Sequence, residues 1–249
     1  MKNNKLFKFI IILLIAIIIL IIFRFNRNDK VYNYKEIDSY VFDADQYINT
    51  TLNDHKRENN FININSLRGL EDNSLIIAKV KLIDYEQDYC DITTSNLIVN
   101  EIYKGKDLVK TKDNIKVYEN LNFKIMFDPQ FNYIQLNSLY LPMRTETEYL
   151  VFLRKEENRA YYSYVSEYYG RFNTIGTKIK TDSEEIDTYY KIDNEYDMLY
   201  FKYKDENNQS ESNDNAKENY KLYNSIIGIH NYIEEEALNK YIKGGKNND

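Results

Sequence analysis

The sequence predicts a mainly β domain of the α+β class, a small five- to six-stranded barrel or sandwich with flanking helices, set behind one amino-terminal transmembrane helix. Three observations predict it. Residues 9–23 are an unbroken apolar run, residues 61–180 carry a series of short period-two segments, and helical periodicity appears on either side of that series.

The apolar run holds eleven isoleucines or leucines in the twelve positions from Ile10, between Lys2, Lys5 and Lys8 on one side and Arg24 and Arg27 on the other. At about 1.5 Å per helical residue, its fifteen residues cover about 22 Å of a hydrocarbon core about 30 Å thick. Adding Leu6, Phe7 and Phe25 brings the reach to twenty residues and about 30 Å, with Lys8 and Arg24 snorkelling to the headgroup layers. Leu6, Phe9, Leu13, Ile17, Leu20 and Phe23 are the expected anchor positions, and the lipid bilayer is their expected partner. A cleaved signal peptide would need small residues after the run, whereas Arg24, Phe25, Asn26 and Arg27 follow it. A buried soluble helix would show a polar face, which this run lacks. The slight excess of basic charge at the short amino end predicts that end in the cytoplasm and the rest of the chain outside. The lone Cys90 makes no internal disulfide, so the outer domain must be stable without one; a small strand residue is its expected role.

Residues 31–249 are long enough for one large or two small domains. The whole chain has a formal charge of −6; without the first thirty residues, 27 basic and 38 acidic side chains leave −11. So acidic a body excludes a nucleic-acid partner, which would need a basic stripe. Abundant Asn, Lys, Ile and Tyr, with no Trp, two Pro and seven Gly, match the codon bias of an AT-rich bacterial genome, so single tyrosines or asparagines carry little functional weight.

Residues 31–60 form the expected juxtamembrane helix: Ile37, Val41, Ala44, Ile48 and Leu52 recur every three or four positions among polar residues. His55 closes that stretch as a solvated side chain. From residue 61 the period becomes two. Ile76, Ala78, Val80 and Leu82 alternate with Ile77, Lys79 and Lys81 in a first strand. A second is expected over 92–103, with Leu97, Ile98, Val99 and Ile102 as its apolar positions. Lys104, Gly105, Lys106 and Asp107 then turn the chain, glycine supplying the required φ. A third strand covers 114–119 through Ile115 and Val117. After a polar and aromatic excursion with Pro129 and Pro142, Tyr149, Leu150, Val151, Phe152 and Leu153 are apolar on both faces, the mark of a central strand. A fifth strand is expected over 161–165 and a short sixth over 174–179. Strands at this spacing favour a barrel or sandwich over a parallel βαβ array.

Several strings in this region also carry a resemblance. The first is Ser66-Leu67-Arg68-Gly69-Leu70, followed by Asn73-Ser74-Leu75-Ile76-Ile77-Ala78-Lys79-Val80. In order follow Val99-Asn100-Glu101-Ile102-Tyr103-Lys104-Gly105-Lys106, Ile115-Lys116-Val117, Glu148-Tyr149-Leu150-Val151-Phe152-Leu153 and Tyr169-Gly170-Arg171-Phe172. Across about residues 61–180 this layout resembles a group of exported or membrane-anchored proteins of low-GC bacteria, and is similar to the netrin-like, or tissue-inhibitor-of-metalloproteinase-like, OB-type barrel. The resemblance implies an OB-like fold, with a short helix ahead of the first strand. It does not imply metalloproteinase inhibition, because such inhibitors reach zinc through a free amino-terminal cysteine and this chain has its apolar run there. Thr145, Glu146, Thr147 and Glu148 replace the group's glycine ahead of the central strand.

No catalytic constellation is visible. His55 and His230 are the only histidines, and neither lies in a metal-binding or nucleophile motif. Glu156/Glu157, Glu184/Glu185 and Glu234/Glu235/Glu236 are adjacent rather than convergent, and neighbours on a strand point to opposite faces. No phosphate loop, serine elbow or calcium loop appears, and no cofactor is expected. The candidate binding residues are Tyr161, Tyr162, Tyr164, Tyr168 and Tyr169, which supply flat apolar area and hydroxyls to a ligand; packing beneath the carboxy-terminal helix is the alternative for them. Residues 181–249 form the expected helical region, with a polar loop over 205–219. A helix over 217–242 follows from Leu222, Ile226, Ile229, Ile233 and Ala237 and stops at Gly244 and Gly245, with His230 at the edge of its apolar face. The function these features predict is that of a membrane-anchored extracytoplasmic binding or interaction protein of the cell envelope, its partner an envelope protein or wall polymer. The alternatives are an envelope hydrolase and an accessory subunit of a membrane complex.

Overall fold

The computed structural model describes residues 13, 15, 30–32, 41–43, 64–88, 92–124, 133–136, 140–175 and 212–244. Of the expected anchor, Leu13 and Ile15 fall among them, helical and exposed; Leu6, Phe9, Ile17, Leu20 and Phe23 lie outside, as do His55 and Cys90. Among the described residues no helix is long and apolar enough to cross a membrane. Strand β1 is Lys30–Tyr32 and β2 is Val41–Asp43. β1 corrects the expected juxtamembrane helix at residues 31–32 and β2 at residues 41–43, and the rest of it lies outside the described residues. Val41 and Phe42 are strand formers, and pairing with a neighbour overrides helical spacing here.

The central architecture is a closed, mixed five-stranded β-barrel, mainly β overall. Its staves are β3 (Ile76–Gln87), β4 (Thr93–Lys104), β5 (Asn114–Glu119), β8 (Glu148–Lys155) and β9 (Tyr162–Tyr164). They are hydrogen-bonded in the order β3-β4-β5-β9-β8, and β8 pairs back onto β3 to close the ring. Every pairing is antiparallel except β5 with β9. This closure is compatible with an OB-like barrel. β1 extends the sheet along β3, and β10 (Arg171–Asn173) extends it along β8. β10 lies before the expected position of a sixth strand: Thr174 and Ile175 form a turn, and residues 176–179 are outside the described set. The polar excursion holds two further strands, β6 (Leu121–Lys124) and β7 (Tyr133–Leu136), which join β2 in a small second sheet ordered β2-β7-β6.

Three register shifts between β3 and β4 bend these long strands around the barrel. The third falls between Leu82 and Asp84 and has a visible cost: Ile83 is pushed out and is 41 % exposed. It also flips the inward phase, from Ile76, Ala78, Val80 and Leu82 to Tyr85 and Gln87. The turn after β4 uses Gly105 at φ +87, and a Cβ there would lie 2.6 Å from the Leu75 carbonyl oxygen. Only glycine fits both demands.

Helix α1 (Leu67–Asn73) begins where expected, with Ser66 Oγ accepting from Gly69 N at 3.2 Å. Helix α2 (Ser212–Ala237) continues as a π-helical turn, Leu238–Lys243, capped at Gly244. It starts inside the stretch read as a loop, because Ser212, Asn213 and Asp214 suit a helix start and Ala216, Lys217 and Glu218 favour its continuation.

β8 separates two cores. Tyr149, Val151 and Leu153 point into the barrel with Ile76, Ala78, Val80, Leu97, Val99 and Val117. Leu150 and Phe152 point the other way, to Ile77, Leu70, Phe172 and the α2 residues Ile226, Ile227 and Ile233. The central-strand expectation for β8 follows directly from this double burial. Glu71 ties the helices together: its Oε1 accepts from Lys240 Nζ at 2.6 Å and from the Tyr241 hydroxyl at 2.7 Å.

Candidate functional site

Two sets of polar and aromatic residues stand out, one inside the barrel and one on its wall. On β5, alternation sends Ile115, Val117 and Glu119 inward, so a carboxylate occupies a core position. Glu119 Oε1 accepts from Ser95 Oγ at 2.7 Å and from the Tyr164 hydroxyl at 2.8 Å. Its Oε2 lies 3.6 Å from Arg171 Nη1, both side chains being almost fully buried. Burial raises the Glu119 pKa above its ordinary value, with Arg171, Ser95 and Tyr164 opposing part of that rise. A carboxyl oxygen that accepts two hydroxyl protons beside a guanidinium is an ionised one.

Arg171 leaves β10 to reach this carboxylate. Burial disfavours its charge, but Tyr164 and Glu119 outweigh that and hold its pKa above the ordinary value. Its Nη2 donates to the Leu141 carbonyl, and the guanidinium carbon sits 4.6 Å from the Tyr140 ring centroid, 5.5 Å from Tyr149 and 5.9 Å from Tyr164. The Tyr140 hydroxyl accepts from Arg171 N at 3.2 Å and donates to the Arg171 carbonyl at 2.8 Å. The Tyr85 hydroxyl accepts from Met143 N at 2.5 Å, and that of Tyr149 from Arg144 N at 3.0 Å. Together these bonds fasten the irregular segment 140–144 to the barrel. Glu119 and Arg171 are thus committed to each other and to neutral partners, which suits a clamp and not proton transfer to a substrate.

His230 lies in the other core, 2 % exposed. Its ring is 5.1 Å from that of Phe172 and 6.1 Å from that of Tyr140. Burial lowers its pKa to about 4, with Asn231 and the Arg171 backbone opposing the shift. It is neutral at pH 7, the core histidine expected.

The wall site lies where β5 meets the start of β9. Tyr118 faces outward, 36 % exposed, and stacks on Tyr161 with centroids 6.0 Å apart and planes 28° from parallel. Close by, Asn120 Nδ2 donates to Glu167 Oε1 at 2.8 Å. Burial raises the Glu167 pKa to about 7, opposed by Asn120. Burial and then the Glu167 charge raise the Tyr118 pKa. The arrangement offers a flat aromatic surface bordered by a carboxyl that changes charge near neutrality, which suits stacking and hydrogen bonding to a ring-bearing ligand.

The five tyrosines expected to bind are not brought together. Tyr161 belongs to the wall site. Tyr162 packs partly against the barrel core, with Lys155 Nζ 4.7 Å from its ring centroid. Tyr164 joins the inner clamp. Tyr168 and Tyr169 pack in the core that includes α2, the alternative weighed for them. Tyr118, Asn120 and Glu167 were not singled out in the sequence; nor were Glu119 and Arg171. A carboxylate two residues after Val117 on an alternating strand was the available signal for the clamp. Among the described residues no group of three or more His, Cys, Asp or Glu side chains is placed to hold a metal ion. Comparison of the chain with protein-family models, with curated proteins and with solved structures finds no match.

Proposed function

We propose that this protein is a membrane-tethered, extracytoplasmic binding module of the bacterial cell envelope, an OB-type barrel of the netrin-like kind that engages an envelope protein or a wall polymer through Tyr118 and Tyr161. The observation that carries the reading is the stacked, solvent-facing tyrosine pair on the barrel wall. OB barrels take oligonucleotides or oligosaccharides on the face of their second and third strands and on the loops after the first and fourth. Tyr118 lies on the third stave, β5, and Tyr161 closes the loop after the fourth, β8. The acidic body disfavours an oligonucleotide and leaves a polysaccharide or protein partner. A second reading, an envelope hydrolase, draws on Glu167, whose raised pKa suits a general acid. The binder is preferred because the stacked tyrosine pair is a surface that a ligand can meet directly.

A photoreactive phenylalanine analogue at Tyr118 or Tyr161 of the full-length protein, irradiated in membranes, is expected to give a discrete adduct absent when the probe is at Leu108. Equal adducts at all three positions would refute the assignment. A tag after Asp249 is expected to be cut by protease added to wall-stripped cells, and protection would reverse the topology. Replacement of Glu167 by Gln is expected to weaken capture without abolishing it; an associated hydrolytic activity that the replacement eliminates would favour the enzyme.

A further inference from the structure

We propose that the loop over residues 104–113, where β4 hands over to β5, is a second docking surface, and that Lys106, Lys110 and Lys112 there grip a flexible, phosphate-bearing polymer of the cell wall. This rests on the envelope location in the proposed function and not on its tyrosine surface. The loop holds four lysines and two aspartates in ten residues, within a chain of formal charge −6. Lys79, Lys116 and Lys240 each meet a carboxylate elsewhere in the fold. Lys104 is committed as well, its Nζ donating to the Glu71 carbonyl at 2.7 Å. Among the described residues, the exposed ammonium groups of Lys106, Lys110 and Lys112 have no ion pair or hydrogen bond. Asp113 does not neutralise them, because its Oδ2 accepts from Lys110 N at 2.8 Å; Asp107 is exposed beside them.

The backbone fixes these lysines on the outside. Leu108 N and Val109 N both donate to the Gly105 carbonyl, at 2.9 and 3.2 Å, and the buried Val109 side chain plugs into the barrel core. In a second turn Asp113 N donates to the Lys110 carbonyl at 3.0 Å, while Lys112 N donates to the Val99 carbonyl at 2.7 Å. Lys112, the third residue of that turn, has φ +74. Gly or Asn is favoured at such a left-handed position, so a lysine there costs backbone strain that no internal contact of its side chain offsets. Charge complementarity calls for an anionic occupant, and the rest of the surface decides its form. Residues 31–249 carry −11, so a stiff duplex or a planar anionic bilayer would press phosphates against acidic surface. A flexible strand can touch the loop alone, since exposed charges beyond about 10 Å are screened. Leu75 and Leu108 are only about half exposed, and the loop has no aromatic residue, which is too little apolar area to enter a bilayer. Membranes freed of the wall lack this polymer, which keeps a crosslinking probe at Leu108 silent there.

The test uses full-length protein in phosphatidylcholine nanodiscs and a dye-labelled, soluble poly(glycerol phosphate), with binding read by fluorescence anisotropy. Log affinity is expected to fall against log salt with a slope of about −2, three phosphates at about 0.7 each. Joint Lys106→Gln, Lys110→Gln and Lys112→Gln should weaken binding at least tenfold. Lys112→Asn alone should weaken it at least twofold and raise the melting temperature, the reverse of what loss of a structural lysine does. No binding by the parent, or equal binding by the triple variant, overturns the loop site; neither result bears on the crosslink at Tyr118, which tests the other surface. A lower melting temperature with unchanged binding in Lys112→Asn overturns the role given to that residue. Equal affinity for polyglutamate of matched charge overturns the phosphate polymer in favour of an acidic protein. Tighter, lysine-dependent capture of phosphatidylglycerol vesicles overturns it in favour of lipid headgroups.

Discussion

On one face of β8, Tyr149 looks into a barrel whose end is closed by an ion pair and four tyrosine hydroxyls; on the other, Leu150 and Phe152 meet leucine, isoleucine and phenylalanine beneath α2. The outer core is held by apolar burial, which is roughly additive over its members. The inner clamp is not, since each of its charges is tolerable only because the other is present. One strand thus serves a core that can be trimmed residue by residue and another that fails when a single partner is removed. Functional candidates follow the same division. The buried charged groups pair with each other as structural parts, while the groups left to meet a ligand lie outside on the barrel wall.

The largest expected effect breaks the clamp. Arg171→Met should destabilise the domain by about 3–5 kcal/mol, because Glu119 is left buried and unpaired. Adding Glu119→Leu should restore most of that loss, as a double-mutant cycle in urea would show. Strict additivity of the two changes would mean that the pair is not coupled. Leu70→Ala, in the outer core, should cost about 3 kcal/mol and should add to Arg171→Met within about 0.5 kcal/mol, given their separate environments.

Acid titration sharpens the comparison further. His230 has a folded pKa of about 4 against an ordinary 6.5, so the unfolded chain binds the proton first and stability is lost as pH falls from 6.5 towards 4. Glu167 has a folded pKa of about 7 against 4.5, so the folded state binds the proton more tightly and stability is lost as pH rises from 4.5 towards 7. Each changes stability by about 3 kcal/mol over its own range, with opposite sign. Between pH 4.5 and 6.5 they offset each other. His230→Gln should therefore make stability fall with rising pH in this window, and Glu167→Gln should make it rise; melting curves of both variants across pH check the two signs. The smallest effect expected is Gly105→Ala, about 1–2 kcal/mol, from a left-handed φ and the crowding of the Leu75 carbonyl.

Much of the barrel was legible because its signals are local. β5 and β8 announce themselves by alternation and by double-faced apolarity, and the β4–β5 turn by Gly105. What escaped depends on register. A single extra residue at Ile83 moves Tyr85 and Gln87 to the inside, and no property of those residues alone reveals it. Strands β6 and β7 were missed because short polar and aromatic segments gain their conformation from pairing with each other and with β2. For the site, Glu119 was readable from its place in the β5 alternation, but its partner Arg171 comes from β10, which is 52 positions later in the chain. The tyrosine cluster misled because neighbours on β9 and on the turn after it point to three different environments. Adjacency in sequence did not become adjacency in space.

The division between a structural interior and a recognising wall is tested most directly by recovering the crosslinked partner from membranes with two full-length double variants. Tyr118→Ser with Tyr161→Ser is expected to lose the partner while its urea midpoint stays within about 0.5 kcal/mol of the parent. Glu119→Leu with Arg171→Met is expected to keep the partner. Retention by the tyrosine variant together with loss by the folded clamp variant would contradict the assignment and place recognition inside the barrel.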